Sequence, residues 1–162
     1  MRKATQSVTA LALFTGALLV LAPATLAVPS TSKQRIVMEV TASGPAGGPF
    51  VLTPEGSGPL KPDTGKWTFV ASKKEIVRGG QSVTRYTSTT TWAGKLGTLV
   101  LRERFDDVAA GRGYRVGTGT WSPITAQGTG QYAKVTGAGR SAYVLTPHEG
   151  PYGRWEGIVR SP

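Results

Sequence analysis

The chain has 162 residues, a formal net charge of +10 and no cysteine. This length predicts one domain, and the lack of cysteine excludes disulfide bonds, thiolate nucleophiles and cysteine metal sites. The basic excess favours anionic partners such as acidic polymers or a cell surface. However, the basic residues are scattered along the chain, a pattern that more often serves solubility.

The first 27 residues have the three-part layout of a secretory signal peptide. Arg2 and Lys3 precede an apolar run at 10–22, and small residues follow up to a cleavage site after Ala27. The apolar run is shorter than the roughly 20 residues that span a bilayer. We therefore expect a secreted, extracellular protein whose mature chain contains no transmembrane segment.

The rest of the chain has the pattern of short β-strands, with alternating apolar and polar residues between turn residues. No window shows a sustained helical period. Residues 28–34 are interpreted as a flexible mature N-terminus, and residues 35–162 as a single domain. Strands are predicted at 35–41, 49–53, 66–72, 81–92, 98–106, 114–122, 140–146 and 153–159. Eight strands in series indicate an all-β fold, either a sandwich or a small antiparallel β-barrel, and a barrel leaves no exposed sheet edge.

A glycine-rich stretch at 119–140, GTWSPITAQGTGQYAKVTGAGR, interrupts this pattern. It lacks the Gly-Lys-Ser/Thr sequence and the following helix of a phosphate-binding loop. Its apolar residues, such as Ile124 and Val135, argue against a flexible linker. We interpret it as a structural corner between two strands, formed by Trp121, Gly128, Gly130, Tyr132, Gly137 and Gly139.

The corner also carries a family resemblance. The order Gly-Thr-Trp, Gly-Thr-Gly-x-Tyr-Ala and Gly-x-Gly within 119–139 resembles the signature of allene oxide cyclase barrel-like proteins, which are related in fold to dirigent proteins. The resemblance covers roughly residues 95–146 and implies a secreted barrel of about eight strands that assembles into a dimer or trimer. It also implies a cyclase or isomerase acting in an apolar cavity. The motif is structural, so no catalytic residue is carried over.

The hairpin of strands 98–106 and 114–122 supplies the candidate ligand-binding residues, because side chains alternate between the faces of a strand. Asp106 and Asp107 are interpreted as the start of its turn, centred near Ala109 and Ala110. With that turn, one face carries Leu99, Leu101, Glu103, Phe105, Tyr114 and Val116. An unpaired buried carboxylate is costly, so Glu103 is either a polar or acid–base group of a ligand cavity or part of a structural ion pair.

The opposite face of the same hairpin carries the candidate anion-binding residues. In the predicted register Arg102, Arg104 and Arg115 lie together, with Arg115 directly across from Arg104. Like charges opposed across two strands repel each other. Either an anion bridges them, or the register differs, or a nearby acid such as Asp106 intervenes. The three arginines are therefore an anion-binding patch or a solvated outer face.

Other kinds of site find little support in the sequence. His148 is the only histidine, whereas a zinc site needs three or four ligands. No Gly-x-Ser-x-Gly elbow accompanies it, which argues against a serine hydrolase. We expect no metal and no cofactor. Four tryptophans either fill the core or line a pocket: Trp67, Trp92, Trp121 and Trp155.

Three functions follow as expectations. The first is non-enzymatic binding of a small apolar or amphipathic molecule inside the barrel, since eight strands leave room for one small ligand. The second is a cyclase or isomerase acting on a hydrophobic substrate. The third is docking of anionic polymers on the basic outer face.

Overall fold

The computed structural model describes residues 32–41 and 47–162. The predicted signal peptide, its cleavage site and residues 28–31 lie outside the described residues. Within the described part of the chain, no helix is both long and apolar enough to cross a membrane.

Eight antiparallel strands form a closed barrel in which each strand pairs with its neighbours in sequence, and the first pairs with the last. This confirms the predicted all-β fold class, an antiparallel barrel of eight strands. The strands are β1 Ser32–Val40, β2 Gly47–Glu55, β3 Asp63–Arg78, β4 Gln81–Gly94, β5 Gly97–Gly111, β6 Tyr114–Pro123, β7 Thr136–Thr146 and β8 Gly150–Ser161.

Several strands are longer than the sequence predicts. β1 begins at Ser32, so residues 32–34 are not part of a flexible terminus. Gln34 is buried, and its side-chain oxygen accepts a hydrogen bond from the backbone N–H of Leu60 at 3.1 Å. β5 extends to Gly111, so Asp106 and Asp107 lie within a strand and not in a turn.

The two ends of the barrel differ. One end, which we call the closed end, contains the connections β2–β3, β4–β5 and β6–β7. The β6–β7 connection includes two short 3-10 turns, Thr125–Gln127 and Gly130–Tyr132. At the open end lie the hairpins β3–β4, β5–β6 and β7–β8. The core between them is formed by inward-facing apolar side chains, including Ile36, Met38 and Leu52.

The β6–β7 connection covers the closed end. Tyr132 and Val135 are both about 1 % exposed and pack against the core. The Tyr132 hydroxyl donates a hydrogen bond to Asp63 Oδ2 at 3.0 Å. Asp63 also accepts hydrogen bonds from the backbone N–H groups of Lys95 and Leu96, so it ties the corner to the β4–β5 turn.

Candidate functional site

A cavity of about 240 Å³ lies inside the barrel toward its open end. Most of its wall is aromatic or apolar, and two carboxylates interrupt that wall. The lining residues are Trp67, Phe69, Tyr86, Thr90, Glu103, Phe105, Asp107, Tyr143, Leu145, Pro151 and Trp155.

Glu103 on β5 is one of the two buried carboxylates of the cavity wall. It is about 3 % exposed. Thr90 Oγ1 and Trp155 Nε1 donate hydrogen bonds to its two oxygens, and Ser88 Oγ donates a third at 3.3 Å. Burial raises the pKa of the Glu103 carboxyl, and the hydrogen bonds from Thr90, Trp155 and Ser88 oppose that rise.

Asp107 is the second carboxylate of the cavity, four residues along the same face of β5. The Tyr143 hydroxyl donates to its Oδ2 at 2.6 Å, and Arg115 Nε donates to its Oδ1 at 2.5 Å. Arg115 also donates to Thr84 Oγ1 at 2.8 Å. Burial raises the pKa of Tyr143, and the hydrogen bond to Asp107 raises it further, so the phenol stays protonated.

Aromatic rings form most of the remaining wall. Tyr86 stacks on Phe105 with ring centroids 4.9 Å apart, and Phe105 meets Tyr143 edge-on at 5.3 Å. On the other side, Trp67 stacks on Phe69 at 5.7 Å. Such offset and edge-on contacts are favourable arrangements of aromatic rings, and they leave the rings as an apolar wall of the cavity.

Trp67 contributes a polar group that lacks a partner. Its Nε1 is buried and finds no hydrogen-bond acceptor among the described residues. Most buried polar groups in proteins are hydrogen-bonded, so an exception on a cavity wall calls for an explanation. Trp92 Nε1 is buried without a partner among the described residues as well, so this feature is not confined to the cavity wall.

Inward-facing glycines make room for the aromatic wall. A Cβ atom on Gly117 would lie 2.2 Å from the Tyr143 ring, and one on Gly119 would lie 2.5 Å from Phe105 Cβ. The alternation Gly-Thr-Gly in β6 therefore places glycines inside and Thr118 outside. The neighbouring glycines were predicted to form a corner, and the space that Gly117 and Gly119 leave for aromatic rings was not predicted.

The predicted register of the β5–β6 hairpin is wrong. β5 continues to Gly111 with a bulge between Ala109 and Gly111, so the turn comes later than predicted and Glu103 pairs with Trp121. As a result Tyr114 and Val116 are exposed, at 43 % and 37 %, and do not line the cavity.

The other predicted ligand-binding residues divide into two groups. Glu103 and Phe105 line the cavity. Leu99 and Leu101 lie deeper, buried in the hydrophobic core. In the predicted corner, Trp121 is buried too, and its ring lies over Gly139, where a Cβ would approach within 2.3 Å.

The predicted arginine trio is also divided. Arg102 and Arg104 are exposed on the outer face. Arg115 pairs with Ala109 and not with Arg104, and its side chain bonds Asp107 at the cavity mouth. The repulsion expected between Arg104 and Arg115 therefore does not arise.

Some residues of the site could have been found from the sequence and others could not. A longer β5 would have placed Asp107 on the same face as Glu103, since residues four apart in a strand point to the same side of the sheet. Tyr143 and Trp155 come from β7 and β8, and only the closure of the barrel brings them to β5.

Comparisons with protein-family models, with curated proteins and with solved structures find no match for the chain. An eight-strand antiparallel barrel is not specific to allene oxide cyclases, so the resemblance stays a prediction. Within residues 32–41 and 47–162, no cluster of three metal-ligating side chains is present.

Proposed function

We propose that this protein binds one small amphipathic molecule in the cavity at the open end of its barrel. The observation that carries the proposal is a cavity with aromatic walls and a buried carboxylate, Glu103. Apolar pockets with a few polar groups are typical of small-molecule sites.

The size of the cavity limits the ligand. A cavity of roughly 150 Å³ holds benzene, and this one measures about 240 Å³. One or two fused rings, or a short branched chain, would fill it. A flat ring is favoured because stacked and edge-on aromatic side chains form the wall.

The polar groups limit the ligand further. A carboxylate offers about four acceptor sites, and Glu103 uses three of them on Ser88, Thr90 and Trp155. One site remains for a donor on the ligand. A hydroxyl group supplies such a donor, so we expect a phenol-like or alcohol-like molecule.

The test is native mass spectrometry of the mature protein purified from the cells that make it. A reproducible additional mass of small-molecule size supports the proposal, and the same spectrum reports whether the protein is a dimer or trimer. Absence of any adduct, combined with failure to bind added phenols, would overturn it.

Two variants make this experiment specific. Glu103→Gln keeps the shape of the side chain but places an amide N–H₂ where the ligand donor would bind, so the adduct should be much less abundant. Thr120→Ala changes an exposed residue on the outer face of the same barrel, and its adduct should persist.

A cyclase or isomerase is the second candidate function. It is favoured by the position of Glu103 in an apolar cavity, where burial raises the pKa of the carboxyl, because a raised pKa suits a general acid. The Tyr143 hydroxyl on the same wall donates its proton to Asp107 in a hydrogen bond, so we assign it a binding role and no acid–base role. Conversion of the native ligand by the purified protein, monitored by NMR, would distinguish this candidate from simple binding.

The place of action is likewise a proposal. The layout of residues 1–27 supports export and binding of the ligand outside the cell. Sequencing the N-terminus of protein recovered from culture medium tests this, and a mature chain that begins at Val28 is the expected result.

A further inference from the structure

Three exposed arginines form a basic patch on the outside of the barrel, away from the cavity. Arg102 and Arg104 lie on β5, and Arg140 lies on β7. Arg104 pairs across the sheet with Thr120, which in turn pairs with Arg140. We call Arg102, Arg104 and Arg140 the arginine surface.

The acidic residues nearest to this surface are already engaged by other arginines. Asp106 accepts hydrogen bonds from Arg85 at 2.6 and 2.7 Å and from Arg78 at 3.3 Å. The bond from Arg85 holds the pKa of the Asp106 carboxyl below its usual range.

Glu156, which lies across from Arg140, is engaged in the same way. It accepts a hydrogen bond from Arg35 at 2.9 Å and lies 3.5 Å from Arg154. In the described part of the chain, Arg102, Arg104 and Arg140 form no salt bridge and are exposed, and only Arg104 acts on a nearby acid, by a weaker charge interaction with Asp106.

The spacing of the arginine surface suits an extended polymer. Arg102 and Arg104 are two residues apart on one strand, about 7 Å, while Arg104 and Arg140 are two strands apart, about 10 Å. Hydroxyl groups lie between the guanidinium groups. Together they line one open groove: Thr87, Arg102, Arg104, Thr120, Ser122 and Arg140.

We propose that the arginine surface binds a carboxylated polysaccharide. Guanidinium groups hold carboxylates through two parallel hydrogen bonds, and the hydroxyls of Thr87, Thr120 and Ser122 match the hydroxyls of sugar rings. Trp121 is the aromatic residue of the groove, and it is only about 2 % exposed, so it offers almost no ring surface on which nucleic-acid bases could stack. This proposal is independent of the ligand in the cavity.

The experiment measures binding of the whole mature protein to immobilised polygalacturonate, with neutral dextran as the reference polymer. The test variant carries Arg102→Gln, Arg104→Gln and Arg140→Gln. A matched control variant carries Lys33→Gln, Lys66→Gln and Lys74→Gln, which removes the same charge from exposed residues of β1 and β3.

The arginine variant should bind at least about tenfold more weakly than the wild type, and the lysine variant within about threefold of it. Wild-type binding should also weaken as salt rises. Equal losses of binding in the two variants would mean that net charge alone accounts for the binding, and this would overturn the proposal. Absence of wild-type binding in low salt, or equal binding to duplex DNA, would overturn it too. Thermal denaturation of both variants shows that they are folded.

Discussion

The two ends of the barrel each contain a buried carboxylate, and the two carboxylates serve different purposes. Asp63 at the closed end and Glu103 near the open end are both about 3 % exposed. Asp63 accepts hydrogen bonds from three backbone N–H groups and one phenol. Glu103 accepts only from side chains, and an empty space adjoins it.

This difference shows that burial alone does not identify a binding group. Backbone donors are fixed by the sheet and turns, so Asp63 holds the fold at the closed end. Side-chain hydroxyls can rotate and exchange partners, so Glu103 can accept a hydrogen bond from a bound molecule as well. The kind of donor and the neighbouring space separate a structural carboxylate from a binding one.

The largest effect is expected when Asp63 is replaced by alanine. The backbone N–H groups of Thr64, Lys95 and Leu96 would lose their acceptor, and each unsatisfied buried donor is costly. We expect the free energy of unfolding to fall by about 3 kcal/mol in urea denaturation. Asp63→Asn, which retains one acceptor oxygen, should lose less. A fall too small to measure would contradict the structural role.

A smaller loss is expected when the cavity wall is crowded. In Gly119→Ala the new Cβ would lie 2.5 Å from the backbone oxygen of Arg104 and from Phe105 Cβ. The sheet must shift, at a cost of about 2 kcal/mol in the free energy of unfolding. Ligand binding should weaken as well because Phe105 moves into the cavity. Thr118→Ala, on the outer side of the same strand, serves as the control and should change neither property.

Tyr132→Phe should have a still smaller effect. The change removes the hydroxyl that donates to Asp63 but leaves the ring in the core. We expect a loss of about 1 kcal/mol in the free energy of unfolding, measured by urea denaturation. Binding in the cavity should be unchanged, because Tyr132 lies at the other end. Impaired binding in this variant would contradict the separation of the two ends.

Glu103→Gln should have a pH-dependent effect on the free energy of unfolding, and this effect should be smallest at acidic pH. The folded protein raises the pKa of Glu103 above the ordinary value of 4.5. The folded state therefore binds the proton more tightly, and this group makes stability fall as pH rises from 4.5 through the raised pKa. When urea denaturation is measured at several pH values, the free energy of unfolding should decline less steeply with rising pH in Glu103→Gln than in the wild type. An identical slope would mean that Glu103 is not desolvated.

The sequence was sufficient to predict the fold class because it depends on local patterns. Alternating residues between turns mark all eight strands, and Tyr132 stands out as an apolar anchor among glycines. The predicted third strand, 66–72, ends too early because the last residues of β3, KKEIVR, are mostly charged. They pair with β4 in a hairpin, which tolerates exposed charged side chains on both faces.

The site was harder to predict because it depends on register and closure. Because of the bulge between Ala109 and Gly111, the register of β6 differs from the predicted one. Val116 therefore faces outward and Arg115 inward, the reverse of the prediction. Contacts such as that between Glu103 and Trp155, 52 residues apart, arise only when β8 closes the ring. No local pattern in the sequence specifies such pairs.

The most direct test is calorimetric titration of the mature protein with 2-naphthol, a two-ring molecule with one hydroxyl group. Wild type and Tyr132→Phe should both bind one molecule per chain with the same affinity, and Glu103→Gln should bind about tenfold more weakly, as expected for a lost hydrogen bond to a charged group. That result would place binding at the open end with Glu103 as its polar anchor. Equal affinity in all three proteins, or no saturable binding to the wild type, would contradict the account.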